Sequence, residues 1–326
     1  MPVEAGEATS EGIRKLRERL GGFETEDGRI KGLNFRPRDG DVFVVTSPKC
    51  GTTWLQQIVH QLRSRGSMDF VEISEVVPWV EMAADLGQDL DADHAFSPRA
   101  FKTHCWYDHC PKGDKCKYIV VVRDPHDVAV SFFTFFEGWY FQPGEVSLEE
   151  FVKHFWLARG IPESKMQNAS YFHHLISWWQ HRWDDNVLFL FYEDMKADLE
   201  LHVREIARFI GVDHTDKELI RHPLATEKST FAFMSANKEF FDERLTKMKR
   251  NVHCGLEPGA GLGNGKVRDG KSGHGKVELP QSLAQEIDAK WMATVGKDLG
   301  CQTYEELRER LRKEREARKQ ALKGDV

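Results

Sequence analysis

Residues 41–54 read Asp-Val-Phe-Val-Val-Thr-Ser-Pro-Lys-Cys-Gly-Thr-Thr-Trp. Asp41 to Ser47 is a β-branched apolar run bounded by Gly40 and Pro48, the pattern of a short buried strand. From Thr52 the period changes: Trp54, Leu55, Ile58, Val59 and Leu62 recur at helical spacing, with Thr52 or Thr53 placed as a cap. A strand, a tight turn at Gly51 and a helix follow one another. That arrangement aims unpaired backbone N–H groups and the positive end of the helix dipole into the turn, where a lysine and hydroxyls suit a phosphate. It is not a Walker A loop, which needs Gly-x-x-x-x-Gly-Lys-Ser/Thr, because Lys49 precedes Gly51 here. An ordinary capped turn accounts for Gly51 and Thr52 and leaves Lys49 and Trp54 unexplained.

The unit recurs downstream. Lys117 to Val122 forms an apolar strand, Arg123-Asp124-Pro125 a break, and Asp127 to Phe136 a helix rich in aromatics. Val187 to Tyr192 reads as a further strand, followed by a helix from about Asp198 to Ile210. Strands alternating with helices imply the α/β class, here one domain over residues 1–326 with a central parallel sheet flanked by helices. Residues 1–31 form a charged opening segment. Residues 255–276 are rich in glycine, eight of them between Gly255 and Gly275, and read as a loop. That loop is either a flexible linker or a cover that closes on an anionic ligand through Lys266, Arg268, Lys271 and Lys276. Residues 302–326 have few apolar side chains among many Glu, Arg and Lys, as in a solvated terminal helix to which no chemistry is assigned.

Composition excludes several classes. The 326 residues are 40% hydrophobic, enough for a large core, and 46 basic against 52 acidic side chains give a formal charge of −6. No basic face for nucleic acid is expected from that balance. Apolar stretches fall far short of the ~20 residues that span a bilayer, and the start is acidic, so the chain reads as soluble and cytoplasmic without a secretory signal. Six cysteines are too sparse for a disulfide framework. His104, Cys105, His109, Cys110 and Cys116 lack the paired Cys-x-x-Cys knuckle, and no metal is expected.

Two other constellations carry chemistry. Lys102-Thr103-His104 offers an imidazole able to take a proton from a hydroxyl, although a lone histidine also serves as a structural one. Arg123 to Ser131 places a guanidinium at a strand's carboxyl end, the edge where open α/β sheets bind ligands. A surface ion pair of Arg123 with Asp124 or Asp127 is the plain alternative.

Taken in order, these motifs resemble the soluble, cytosolic-type sulfotransferases that use 3′-phosphoadenosine-5′-phosphosulfate (PAPS) as sulfuryl donor. The resemblance spans roughly Gly32 to Met292. It rests on the 46–54 loop, Lys102-Thr103-His104, Arg-x-Pro-x-Asp-x-x-x-Ser at 123–131, Leu-Phe-Tyr-Glu-Asp-Met-Lys at 190–196, and Arg-x-Gly at 268–270. It implies that Lys49, Cys50, Gly51, Thr52 and Thr53 hold the donor's 5′-phosphosulfate, with Trp54 against the adenine. Arg123, Ser131 and Arg268, with Asp269 and Gly270 beside the last, would hold the 3′-phosphate. Tyr192, Ser229 and Thr230 match further nucleotide contacts, with Phe231 and Met234 near the base. His104 would be the general base, Lys49 and Lys102 would neutralise charge on the transferring group, and Ser131 would restrain Lys49 until the acceptor binds.

The acceptor implied is a small hydrophobic alcohol, phenol or amine. Ten aromatics flank the motifs: Trp79, Trp106, Tyr107, Phe132, Phe133, Phe135, Phe136, Trp139, Tyr140 and Phe141. Two or three of them are expected in its pocket and the rest in the core. The chain departs from the family at Asp269, where a basic residue is usual, and at Gly273-His274-Gly275, where Gly-Asp-Trp is usual. The short dimer motif, expected from Lys276, meets Pro280-Gln281 and Gln285, so the common homodimer is not assumed. Two alternatives stay open at this level. One is a catalytically weak nucleotide-binding protein of the same fold, which Asp269 favours. The other is a P-loop kinase, which the missing Walker lysine opposes.

Overall fold

The computed structural model describes residues 10–212, 221–263, 266–267, 273 and 275–324. Four parallel strands form one sheet in the order β2-β1-β3-β4, with β1 at Val42–Thr46, β2 at Ala100–Thr103, β3 at Lys117–Val122 and β4 at Val187–Phe191. In register, Val42 of β1 lies opposite both Ala100 of β2 and Lys117 of β3. Successive side chains of a strand point to opposite faces. Phe43, Val45, Phe101, Tyr118, Val120 and Phe189 accordingly enter one core. Val42, Val44, Ala100, Ile119, Val121 and Leu188 enter the other, against Leu55, Ile58 and Leu62 of the Thr52–Ser64 helix. Burial on both faces explains why these strands read as continuous apolar runs.

The sequence boundaries hold to within a residue or two, and the caps say why. The Pro125–Glu137 helix starts at Asp124, whose carboxylate accepts the amides of His126 and Asp127, with Pro125 in the first turn. The Leu199–Ile210 helix starts at Asp198, which accepts from the Leu201 amide at 3.0 Å, and ends at Gly211 with φ 78°.

Three segments add to or differ from that reading. β2 was not read as a strand, because Ala-Phe-Lys-Thr is four residues long and carries a lysine, although that lysine is wholly buried. The opening segment packs its Glu11–Gly21 helix through Ile13 and Leu16, both unexposed. The Tyr304–Gly324 helix is solvated only in part: Tyr304, Leu307 and Leu311 are buried, and Arg182 holds Glu314 at 3.0 Å. Leu307→Ala is therefore expected to cost about 2–5 kcal/mol of stability, read from urea denaturation. A cost below about 0.5 kcal/mol, usual for solvated positions, would show the helix undocked.

The glycine-rich stretch is no flexible linker over its first half. Asn251 Nδ2 donates to the carbonyls of Glu257, Pro258 and Ala260 at 3.0–3.2 Å, and its Oδ1 accepts from Trp139 Nε1 at 2.7 Å. Gly261 sits at φ +74°, where a Cβ would also press on the Trp139 ring at 3.0 Å.

Candidate functional site

Parallel strands put all four carboxyl ends at one edge, and each end delivers a residue of the motifs. β1 leads into Lys49 and Gly51, β2 into His104, β3 into Arg123, and β4 into Tyr192. The connections leaving β1 and β3 diverge in the order β2-β1-β3-β4, which opens a crevice between those two strands. Arg123 Nη1 crosses it to the Lys49 carbonyl at 3.4 Å. A cavity of about 1030 Å³ lies over this edge.

One wall is built for an anion. Lys49 and Gly51 both adopt left-handed backbone, φ 71° and 95°. Gly51 is the N-cap of the Thr52–Ser64 helix and no side chain caps it. A Cβ at Gly51 would come within 2.8 Å of the Tyr192 ring, so the turn closes tightly on that neighbour. Lys49 Nζ stands 4.0 Å above Phe135, and Arg123 lies 4.6 Å from the Tyr192 ring. Arg123 does make the ion pair foreseen as its plain alternative, with Asp127 at 3.4 Å, yet it lines the cavity as well. Asp127 in turn accepts the amides of Gly273 and Gly275 at 2.9 and 2.7 Å, tying the end of the glycine-rich stretch to this wall. Trp54 donates its indole N–H to the Ser229 carbonyl at 2.7 Å and meets Tyr192 edge-on. Thr52, Thr53, Ser131, Thr230, Phe231 and Met234 line the same wall, together with Lys196 from the Tyr192–Ala197 helix. Burial pushes the Cys50 thiol up to about 12, which leaves it inert as a nucleophile.

His104 stands where this wall meets an apolar one. Its Nδ1 is 2.8 Å from the Thr46 carbonyl, which can only accept, so Nδ1 carries the proton and Nε2 keeps its lone pair. The Glu81 carboxylate accepts the His104 amide at 2.7 Å, and Trp79 packs edge-on against the ring. Burial, and next the charge of Lys102, hold the imidazole pKa well below its ordinary value.

Several assignments are placed differently. Lys102 does not reach the cavity: it is unexposed, with Nζ 2.7 Å from Glu243 Oε1, and burial lowers its pKa to about 8. Glu243 and Lys266, which pair with each other, line the cavity instead. Ser229 is also buried away from it, its Oγ without a hydrogen-bond partner among the described residues. Arg268, Asp269 and Gly270 lie outside the described residues. Among the described residues no set of three or more His, Cys, Asp or Glu gathers as metal ligands, and no helix is long and apolar enough to cross a membrane.

The apolar wall is larger than expected. Six of the ten flanking aromatics line it, namely Trp79, Phe132, Phe135, Phe136, Trp139 and Tyr140. Leu20, Phe23 and Glu24 from the opening segment join them, as does Arg159. Sequence reasoning missed these four, and Lys196 and Glu243. Lys196 closes the 190–196 motif and was legible; the others sit in segments with no chemical pattern.

The sulfotransferase domain model matches residues 39–300. Amine sulfotransferase of Oryctolagus cuniculus is 34% identical over 189 residues, 57% of this chain and 61% of that protein. Sulfotransferase 2A1 of Homo sapiens is 32% identical over 223 residues, 67% of this chain and 74% of that protein. The chain thus spans about three fifths of the rabbit relative. The crystal structure of mouse sulfotransferase SULT7A1 complexed with PAP aligns with TM-score 0.59 at 24% identity, over 83% of this chain and 89% of that one. It shares the fold.

Proposed function

The chain belongs to the sulfotransferase family that its match over residues 39–300 defines, and we propose that it moves a sulfuryl group from PAPS to a hydroxyl or amine of a small hydrophobic acceptor. In this reading the whole chain acts as one sulfotransferase domain. The observation that carries it is His104, whose protonated Nδ1 is anchored on Thr46 and whose Nε2 is free to take a proton between an anion-binding turn and an aromatic cavity. PAPS would supply an activated sulfuryl group on a phosphate. The uncapped turn at Gly51 fits such an anion, and the PAP held by the mouse relative supports the same donor here.

Each residue then has a task. Lys49 to Thr53 bind the phosphosulfate through backbone N–H groups and the Lys49 ammonium. Trp54, Thr230, Phe231 and Met234 shelter the base, with Tyr192 behind them. Arg123 and Ser131 bind the 3′-phosphate, Arg123 with the bidentate geometry of a guanidinium. Ser131 also restrains Lys49 until the acceptor arrives. His104 Nε2 takes the acceptor's proton as its oxygen or nitrogen attacks sulfur in line, the bond from sulfur to the 5′-phosphate oxygen breaks, and adenosine 3′,5′-bisphosphate leaves. Lys102 assists this chemistry from behind, through Glu243 and the field it imposes on His104, while Lys266 supplies a cation on the cavity side. Arg268, Asp269 and Gly270 complete the nucleotide site in this proposal, while Ser229 acts only through its carbonyl, which holds the Trp54 indole. The apolar wall excludes water and suits a phenol, sterol or similar alcohol.

Thermal stability tests the donor assignment. A ligand that binds only the folded state raises Tm, so adenosine 3′,5′-bisphosphate should stabilise the protein and ATP with Mg²⁺ should not. Stabilisation by ATP alone would favour a kinase. Arg123→Ala should weaken bisphosphate binding by at least about 1.5 kcal/mol in calorimetry, through loss of a charge-assisted pair. An unchanged Kd would remove Arg123 from the site.

A further inference from the structure

Arg159 is a cation on the acceptor wall that the fold leaves without a counter-ion. It follows the π-helical turn Val152–Trp156, closed by Leu157 N donating to the Val152 carbonyl at 2.8 Å. It precedes Gly160, whose carbonyl accepts from Ser170 N at 2.9 Å. The backbone is therefore pinned on both sides. Its guanidinium lies 4.5 Å from the Phe155 ring and 5.7 Å from Phe132, which lines the cavity with it. Burial alone lowers its pKa to about 10, with no neighbouring charge acting against that fall. Among the described residues no carboxylate stands within ion-pairing distance of it. Two other arginines are paired: Arg29, which holds Asn168, with Glu24 at 2.9 Å, and Arg123, on the cavity, with Asp127 at 3.4 Å.

Two amides on the same lining point to the same chemistry. Asn168 Oδ1 accepts from Arg29 Nη2 at 2.8 Å, and Gln167 Oε1 accepts from Glu163 N at 2.8 Å. Each amide has its oxygen engaged by the protein and its NH₂ left to donate. The Arg159 guanidinium and the Asn168 amide are half-buried on this lining, and Gln167 stands at its exposed rim. An oxyanion would accept from these donors, whereas a purely hydrocarbon acceptor would displace water from the half-buried guanidinium and return no acceptor to it. Of the carboxylates on this lining, Glu24 is engaged by Arg29, Asp127 by Arg123 and Glu243 by Lys102 and Lys266, while Glu163 and Glu278 are exposed and neither pairs with Arg159.

We infer that the acceptor carries a carboxylate in addition to the group that is sulfated, and that Arg159 binds it; this rests on the sulfuryl-transfer reading above. Arg159 then selects hydroxylated hydrophobic acids over neutral alcohols of the same shape. The guanidinium's planar fork suits a carboxylate better than a lysine would.

The test uses a para-alkylphenol ending in a carboxylate and its methyl ester. Their Kd values are measured by calorimetry on the full chain, with and without adenosine 3′,5′-bisphosphate, so that turnover is not required. The acid should bind at least about tenfold tighter than the ester, as expected for a charge-assisted pair. Arg159→Gln should abolish that preference, the acid losing at least about tenfold more affinity than the ester, and Arg159→Lys should restore part of it. Equal binding of acid and ester, no binding of the acid, or a parallel loss of both in Arg159→Gln would overturn the inference. Bisphosphate binding is read separately. Its failure would sink the donor assignment, and the acid-to-ester ratio would still decide the role of Arg159.

Discussion

His104→Ala should lower kcat by about 10²- to 10⁴-fold, the range that positioned general bases supply, while the Kd for adenosine 3′,5′-bisphosphate stays within about twofold. The imidazole contacts the Thr46 carbonyl and Trp79, and the proposal gives it a proton to move and no nucleotide to hold. Its pH dependence follows from burial. The neutral ring is the working form, and it is lost as pH falls through the folded-state pKa. Burial and Lys102 hold that value well below the ordinary one. The acidic limb of kcat/KM should therefore lie below the usual histidine range, with rates sustained from pH 7 to about pH 6. A limb centred at the ordinary histidine value, or near-normal turnover of an aliphatic alcohol by His104→Ala, would contradict the base assignment.

Glu243→Gln should destabilise the fold by about 3 kcal/mol near pH 7 by urea denaturation. Glu243 is 3% exposed and holds Lys102, which is wholly unexposed, while Lys266 pairs with the same oxygen. Removing the carboxylate leaves a buried ammonium without its nearest partner. Lys102 limits the cost by shedding its proton, since burial already brings its pKa to about 8. The sign is fixed by that depression. The folded chain binds the Lys102 proton more weakly than the unfolded chain, so stability rises with pH above about 8 toward the unfolded value. In the variant, where the folded value is lower still, the rise begins earlier, and the deficit narrows as pH climbs toward 8. A cost under about 1 kcal/mol, typical of exposed pairs, would show that the pair is solvated.

The wall at the β1, β3 and β4 ends was legible in the sequence because Lys49, Gly51, Arg123 and Tyr192 follow strands directly, where local period and turn chemistry are strong. The 41–54 stretch gives strand, turn and helix from fourteen consecutive residues, and the structure bears each out. Lys102 was legible as a member of a motif and misleading as to place. A sequence cannot show that the partner of a lysine lies 141 residues away on Glu243. The acceptor wall was least legible. Phe23, Glu24 and Arg159 come from segments whose own pattern is ordinary, and only packing brings them to Phe132 and Trp139. The packing of the charged ends was hidden for a related reason. Apolar residues as sparse as Ile13, Leu16, Leu307 and Leu311 still form a docking stripe when spaced a helical turn apart.

Transfer of labelled sulfuryl from PAPS to a panel of phenols, steroids, aliphatic alcohols and amines, with His104→Ala alongside, tests the central claim most directly. The account predicts labelled product with at least one hydroxyl or amine acceptor, and its loss in the variant. Tight bisphosphate binding with no labelled product from any acceptor, or product formed equally by His104→Ala, would contradict it.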